Sequence, residues 1–219
     1  MRKHFDDQIA QLGEQMIAMG ALVENTIERA IRALQTDDMA EAAAIRDGDH
    51  VVDEKEREVE AMCIHMLLQQ QPVARDLRTI SAALKMITDM ERIGDQAADI
   101  AEIIPFFLSH NTFACTLVCR MAQQASSMVT QSVDAFVRRD VYLARSVAGQ
   151  DDLVDEDFTA VKQALIAAIA REPGQGEVAL DLLMIAKYFE RIGDHAVNLS
   201  EWVEFSVTGV HKHDGVEYE

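Results

Sequence analysis

Glu91-Arg92-Ile93-Gly94-Asp95, inside DMERIGDQAADIAE at 89–102, returns as Glu190-Arg191-Ile192-Gly193-Asp194 inside YFERIGDHAVNLSEW at 188–202. Positions 91 and 190 stand 99 residues apart. Earlier in each half the offset is 102. Ala33-Leu34 matches Ala135-Phe136, Asp38 matches Asp140, Asp49 matches Asp151, and Val52-Asp53-Glu54 matches Val154-Asp155-Glu156. One three-residue difference, at a single turn, reconciles the two offsets. Matching registers on both sides of one gap are the mark of an internal duplication.

Working outward from the repeated stretch, the apolar period is helical throughout. One seam runs Ala83, Met86, Met90, Ile93, Ala97, Ile100, Ile104; its counterpart runs Leu182, Ile185, Phe189, Ile192, Ala196, Leu199, Val203. The first stripe of the chain, from Ile9 through Met16, Val23 and Ile27 to Leu34, keeps the same steps of three and four. Thr36-Asp37-Asp38 supplies stop and cap chemistry, and Asp140 a second cap. Further helices are expected over about 38–70, 73–108, 113–138, 140–171 and 177–208, with Glu172–Gly176 as the Gly/Pro turn. The fold is therefore expected to be all-α: six long helices in two tandem three-helix bundles. The boundary is placed at Ser109–Thr112, giving repeats at 1–109 and 110–208 and a polar, frayed tail at 209–219.

The composition agrees. Among 219 residues there are only 10 Gly and 3 Pro, and 49% are hydrophobic, which suits helices with a substantial core. Three Cys form no disulfide framework and point to a reducing compartment. Cys115 and Cys119 share a helix face, but no other Cys or His completes a site, so both read as small core residues. Most of the 11 Met fall on helix seams. The start lacks a signal-peptide core, and no run of about 18 apolar residues suggests a membrane span. The net charge of −18 would repel nucleic acid and anionic lipid. No P-loop, GxSxG, HExxH, CxxC or dinucleotide fingerprint is present.

Carboxylates stand where apolar side chains are expected. Glu91 and Glu190 each interrupt an apolar stripe, with Asp95 and Asp194 one turn later. On the preceding helix, Asp49 and Asp151 do the same, followed by Asp53 and Asp155. Spacing of four puts both members of a pair on one helix face. A carboxylate near a core is unfavourable unless paired, protonated or metal-bound. Two such pairs on facing helices make an oxygen-rich cage suited to Mg, Mn, Fe or Ca. Asp99 extends the first series by a turn, and Asn198 is its counterpart. Gly94 and Gly193 are unfavourable in mid-helix and argue for a close approach. His195 reads as a surface or satisfied residue, and His211 with His213 as an incidental pair.

The doubled ERIGD, with QPVARDLR at 71–78, resembles the PhoU family over about residues 5–208. The second half departs at the turn, where REPGQGEVALDLL replaces QPVARDLR, so contacts of Arg75 and Arg78 are not duplicated. The resemblance implies a cytoplasmic, non-enzymatic negative regulator of phosphate uptake and of the phosphate-starvation response. It implies homodimers, with a PhoR-like sensor histidine kinase and the ATP-binding subunit of the Pst transporter as partners at the inner membrane face. It also implies Fe, Zn, Mn or Mg at the acidic motifs. The ligands would be Asp49, Asp53, Glu91, Asp95, Asp99, Asp151, Asp155, Glu190 and Asp194, supported by Arg92, Gly94, Arg191 and Gly193. Two other readings stay open from the residues alone. A ferritin-like di-metal oxidoreductase is opposed by the missing Glu-x-x-His. A helical scaffold, with or without bound metal, needs only that the acids solvate a face.

Overall fold

The computed structural model describes residues 2–70, 72–106 and 113–211. Helix α1 (Arg2–Thr36) buries Leu12, Met16, Met19, Val23, Ile27, Ala30 and Leu34 along one face. It stops at Asp37, whose φ of 54° is left-handed. Asp38 then turns the chain. Its amide donates to the Ala33 carbonyl (3.1 Å), and its carboxylate accepts from the amides of Ala40 (3.1 Å) and Glu41 (3.0 Å). That satisfies donors at the start of α2 (Met39–Asp47), which otherwise have no partner.

The second half repeats the device. After α5 (Phe113–Arg138) comes Arg139, with φ 56°. The Asp140 amide donates to the Ala135 carbonyl (2.9 Å), and its side chain caps α6 (Val141–Ala148) through the Leu143 amide (3.0 Å). Both caps fall where the sequence places them.

Two predicted helices are each broken in two. At Gly48, α2 gives way to α3 (His50–Gln70), and at Gly149-Gln150, α6 gives way to α7 (Asp151–Arg171). The backbone ladder tightens there to three-residue bonds, with Val52 donating to Asp49 (3.0 Å) and Leu153 to Gln150 (3.1 Å). Short 3-10 steps of this kind often mark functional joints. The apolar stripe continues through both breaks, so periodicity alone gives one helix. The break has a consequence for the carboxylates. Asp49 lies just before α3 and Asp151 opens α7, so each stands near the positive end of a helix.

Helix α4 (Ala74–Ile103) follows α3, and α8 (Gly176–Thr208) follows a 3-10 turn at Pro173–Gln175. The eight α-helices of the described residues thus form six columns, three per repeat. The two predicted seams are buried along their whole length. One hydrophobic core runs through both repeats, with α4 and α8 as the central pair. Cys63 is buried in it; Cys115 is buried outside that core and Cys119 is only half-buried, so the expectation that Cys115 and Cys119 are both core residues does not hold. Burial pushes the Cys63 thiol up to about 12, as suits a packing residue.

Gly209 closes α8 with φ 82°, and its amide donates to the Phe205 carbonyl (2.8 Å). A left-handed residue here favours glycine. The expected fraying does not begin at once: His211 is buried, with its ring 4.2 Å from that of Trp202. His213 and the rest of the tail, like the Ser109–Thr112 boundary, lie outside the described residues.

Candidate metal centre

The step at Gly48 brings the start of α3 against the middle of α4. A Cβ on Gly94 would lie 3.1–3.3 Å from the side chain of Val52, so the glycine is what permits this approach. The result is a trio: Asp49, Asp53 and Asp95 each offer a carboxylate oxygen within 4.8 Å of the others. All three are half-buried. Burial is the main cause that raises the Asp49 carboxyl, and Asp95, Asp53 and Asp99 add repulsion. Asp95 is raised by burial against the pull of Arg92. Glu91, one turn earlier, is raised by burial and by Asp95, with Glu56 and Asp53 contributing.

The donor set is oxygen only, partly desolvated and mutually repelling. It fits a hard divalent or trivalent cation, which would neutralise the repulsion. Arg57 approaches Asp53 (3.4 Å), and Arg92 approaches Glu91 (3.6 Å) and Asp95 (3.7 Å). Both arginines are more than half exposed, so water screens these contacts heavily.

The second repeat does not copy this arrangement. Among the described residues, the trio of the first half is the one group close enough to chelate. Asp155 and Asp194 are exposed, whereas Asp53 and Asp95 are half-buried. Asp151 is the deep member. Burial, then Asp155, Asp194 and Glu190, push its carboxyl up to about 6. Its Oδ1 is buried without a hydrogen-bond partner and lies 3.0 Å from where a Cβ on Gly193 would stand. Glu190 is tied to the Lys187 ammonium.

Asp99 is not drawn into the trio; the Tyr188 hydroxyl donates to it across the repeat interface. The equivalent contact joins Asp89 to Asn198 (3.2 Å) and to His195 Nδ1 (2.9 Å). At the offset of 99, Asp89 corresponds to Tyr188 and Asn198 to Asp99. The two contacts are therefore images of each other about a pseudo-twofold axis, and they fix α4 and α8 as antiparallel. His195 is thus a satisfied residue rather than a free ligand. Arg191 lies exposed and near enough to lower Asp99.

Arg75 and Arg78 sit in the first turns of α4. They are at least 13 residues before Glu91, roughly 20 Å along the helix, and hold no part of the centre. They neighbour Arg139, which donates to Thr79 Oγ1 (3.1 Å) and the Ser206 carbonyl (3.5 Å). Sequence reasoning missed Asp89, Tyr188, Glu56 and Lys187. For Asp89, Tyr188 and Lys187 the signal lay in the repeat alignment, two or three residues before each ERIGD, where the halves differ; for Glu56 it lay seven residues after Asp49, where the second half has Phe158.

No helix of the described residues is long and apolar enough to cross a membrane. The model of the PhoU domain family matches residues 16–104 and 118–203. A protein of Clostridium acetobutylicum, named phosphate-specific transport system accessory protein PhoU homolog, is 31% identical over 95% of this chain and 96% of its own length. The crystal structure of PhoU from Pseudomonas aeruginosa superposes with a TM-score of 0.88 at 32% identity, covering 94% of this chain and 100% of that one. The phosphate transport system regulatory protein PhoU from Streptococcus pneumoniae superposes with a TM-score of 0.87 at 26% identity, covering 94% and 98%. With both repeats matched and the likeness running nearly end to end, this chain belongs to the PhoU family.

Proposed function

We propose that the chain is a non-enzymatic negative regulator of phosphate uptake and of the phosphate-starvation response. It acts in the cytoplasm, as a homodimer of two-repeat subunits (1–109 and 110–208), between the ATP-binding subunit of a Pst-type transporter and a PhoR-like sensor kinase. The observation that carries this reading is family membership across both repeats, together with relatives named for phosphate transport. The net charge of −18 supports docking to basic surfaces, with fast, salt-sensitive association.

The first carboxylate cluster supports a regulatory metal, Fe, Zn, Mn or Mg, held by Asp49, Asp53 and Asp95 with Glu91 beside them. A bound cation would fasten the joint between α2 and α3 to α4. Stability, and hence the shape presented to partners, would then follow metal occupancy by mass action. The test is a binding titration of the purified chain against the transporter's ATP-binding subunit. Saturable binding that weakens as salt rises is expected. No binding at low salt would overturn the adaptor reading.

A further inference from the structure

The two halves differ at two positions beside their carboxylates that bear on charge. Lys187 stands where the first repeat has Thr88, and Phe158 where it has Glu56. In the first repeat, Thr88 is exposed and donates to its own helix, to the Leu84 carbonyl (3.3 Å), bringing no charge. Glu56 adds a further carboxylate to the field at Glu91. The first cluster therefore gathers acid with no ammonium at this position; the cations beside it are the guanidinium groups of Arg57 and Arg92, both more than half exposed.

In the second repeat the ammonium of Lys187 is held from two helices. It pairs with Glu190 Oε2 on α8, and it lies 5.6 Å from the centre of the Phe158 ring on α7. Glu190 is only 14% exposed, so this pair is better shielded than an ordinary surface bridge. An aromatic face attracts an ammonium and repels a carboxylate. Exchanging Glu56 for Phe158 thus suits a lysine as much as exchanging Thr88 for Lys187 supplies one.

We propose that the two clusters take different cations. The first takes an external divalent metal at Asp49, Asp53 and Asp95. In the second, the Lys187 ammonium serves as a built-in cation for Glu190 and its neighbour Asp194 and keeps metal out. The inference rests on the metal reading of the first cluster. The chain then binds one metal ion, not two, and only the first repeat responds to metal.

The test is a Mn2+ titration of the full chain by calorimetry, with bound metal per chain counted after gel filtration. The wild type should bind one ion, and Lys187→Thr two. Asp151→Asn in the Lys187→Thr background should return the count to one. The reciprocal change, Thr88→Lys at an exposed position, should weaken the first site at least tenfold while the chain keeps its helical circular dichroism. A readout without metal stands beside these: in chelator, Lys187→Thr should melt below wild type and regain the loss when Mn2+ is added. Two equal sites in the wild type, or an unchanged count of one in Lys187→Thr, would overturn the lysine assignment and leave the metal reading standing. No binding by the wild type with one ion bound by Lys187→Thr would overturn the metal reading of the first cluster instead. No binding by either would overturn both.

Discussion

Asp151 offers the sharpest test of the electrostatics. Its carboxyl moves from an ordinary 3.8 to about 6 because it is buried beside Asp155, Asp194 and Glu190. The folded chain therefore holds a proton that the unfolded chain releases. For this group, stability is highest below pH 3.8, falls as pH rises to about 6, and is level above that. At ~1.4 kcal/mol per pKa unit the fall is roughly 3 kcal/mol. The side chain is partly exposed, so water screens about half, leaving ~1.5 kcal/mol. Asp151→Asn removes that fall but also removes a negative charge from the first residue of α7, which forfeits about 0.5 kcal/mol. Burial outweighs the helix effect. The variant should be more stable at pH 8 by about 1 kcal/mol, or ~3 °C in melting temperature for a chain this size. The assay is thermal melting of both proteins in chelator at pH 4, 6 and 8. The difference should be near zero at pH 4 and open between pH 4 and 6. A variant that melts at or below wild type at pH 8, or that shows a pH-independent difference, would refute the reasoning.

Other consequences are simpler to read. Gly94→Ala should destabilise by about 1–2 kcal/mol despite alanine's better helix propensity, because its Cβ would press on Val52; Gly13→Ala, with nothing within 4 Å, should instead stabilise by ~0.5–1 kcal/mol in the same melts. Arg120 Nε donates to Asp157 (2.6 Å), whose exposure is 6%. Arg120→Ala should lower the urea midpoint, because it leaves the buried Asp157 carboxylate without its partner, and Asp157→Leu in that background should recover most of the loss. Mn2+ at about 100 times its dissociation constant should raise stability by ~2.7 kcal/mol in the wild type. It should do nothing for Asp49→Asn with Asp95→Asn.

The helical seams were legible because period and burial coincide: every residue of the two central stripes from Ala83 and Leu182 is buried. Asp38 and Asp140 were legible because capping is local chemistry. The breaks at Gly48 and Gly149 were not, since Ile45 and Val52, like Val147 and Val154, keep one buried face across the interruption. The pairing of Asp49 with Asp95 followed from the repeat. The engagement of Asp99 by Tyr188 did not, because it depends on α4 and α8 running antiparallel between repeats. Lys187 was not legible for a different reason: an internal duplication shows in positions that match, and this one matters because it does not.

The central claim is that the chain restrains phosphate uptake signalling. The direct measurement is alkaline phosphatase activity in phosphate-rich medium, in cells lacking the gene and in cells given it back. The account predicts high activity in the deletion and low activity once the intact chain is restored. Low activity in the deletion, or high activity that the intact chain fails to reverse, would contradict it.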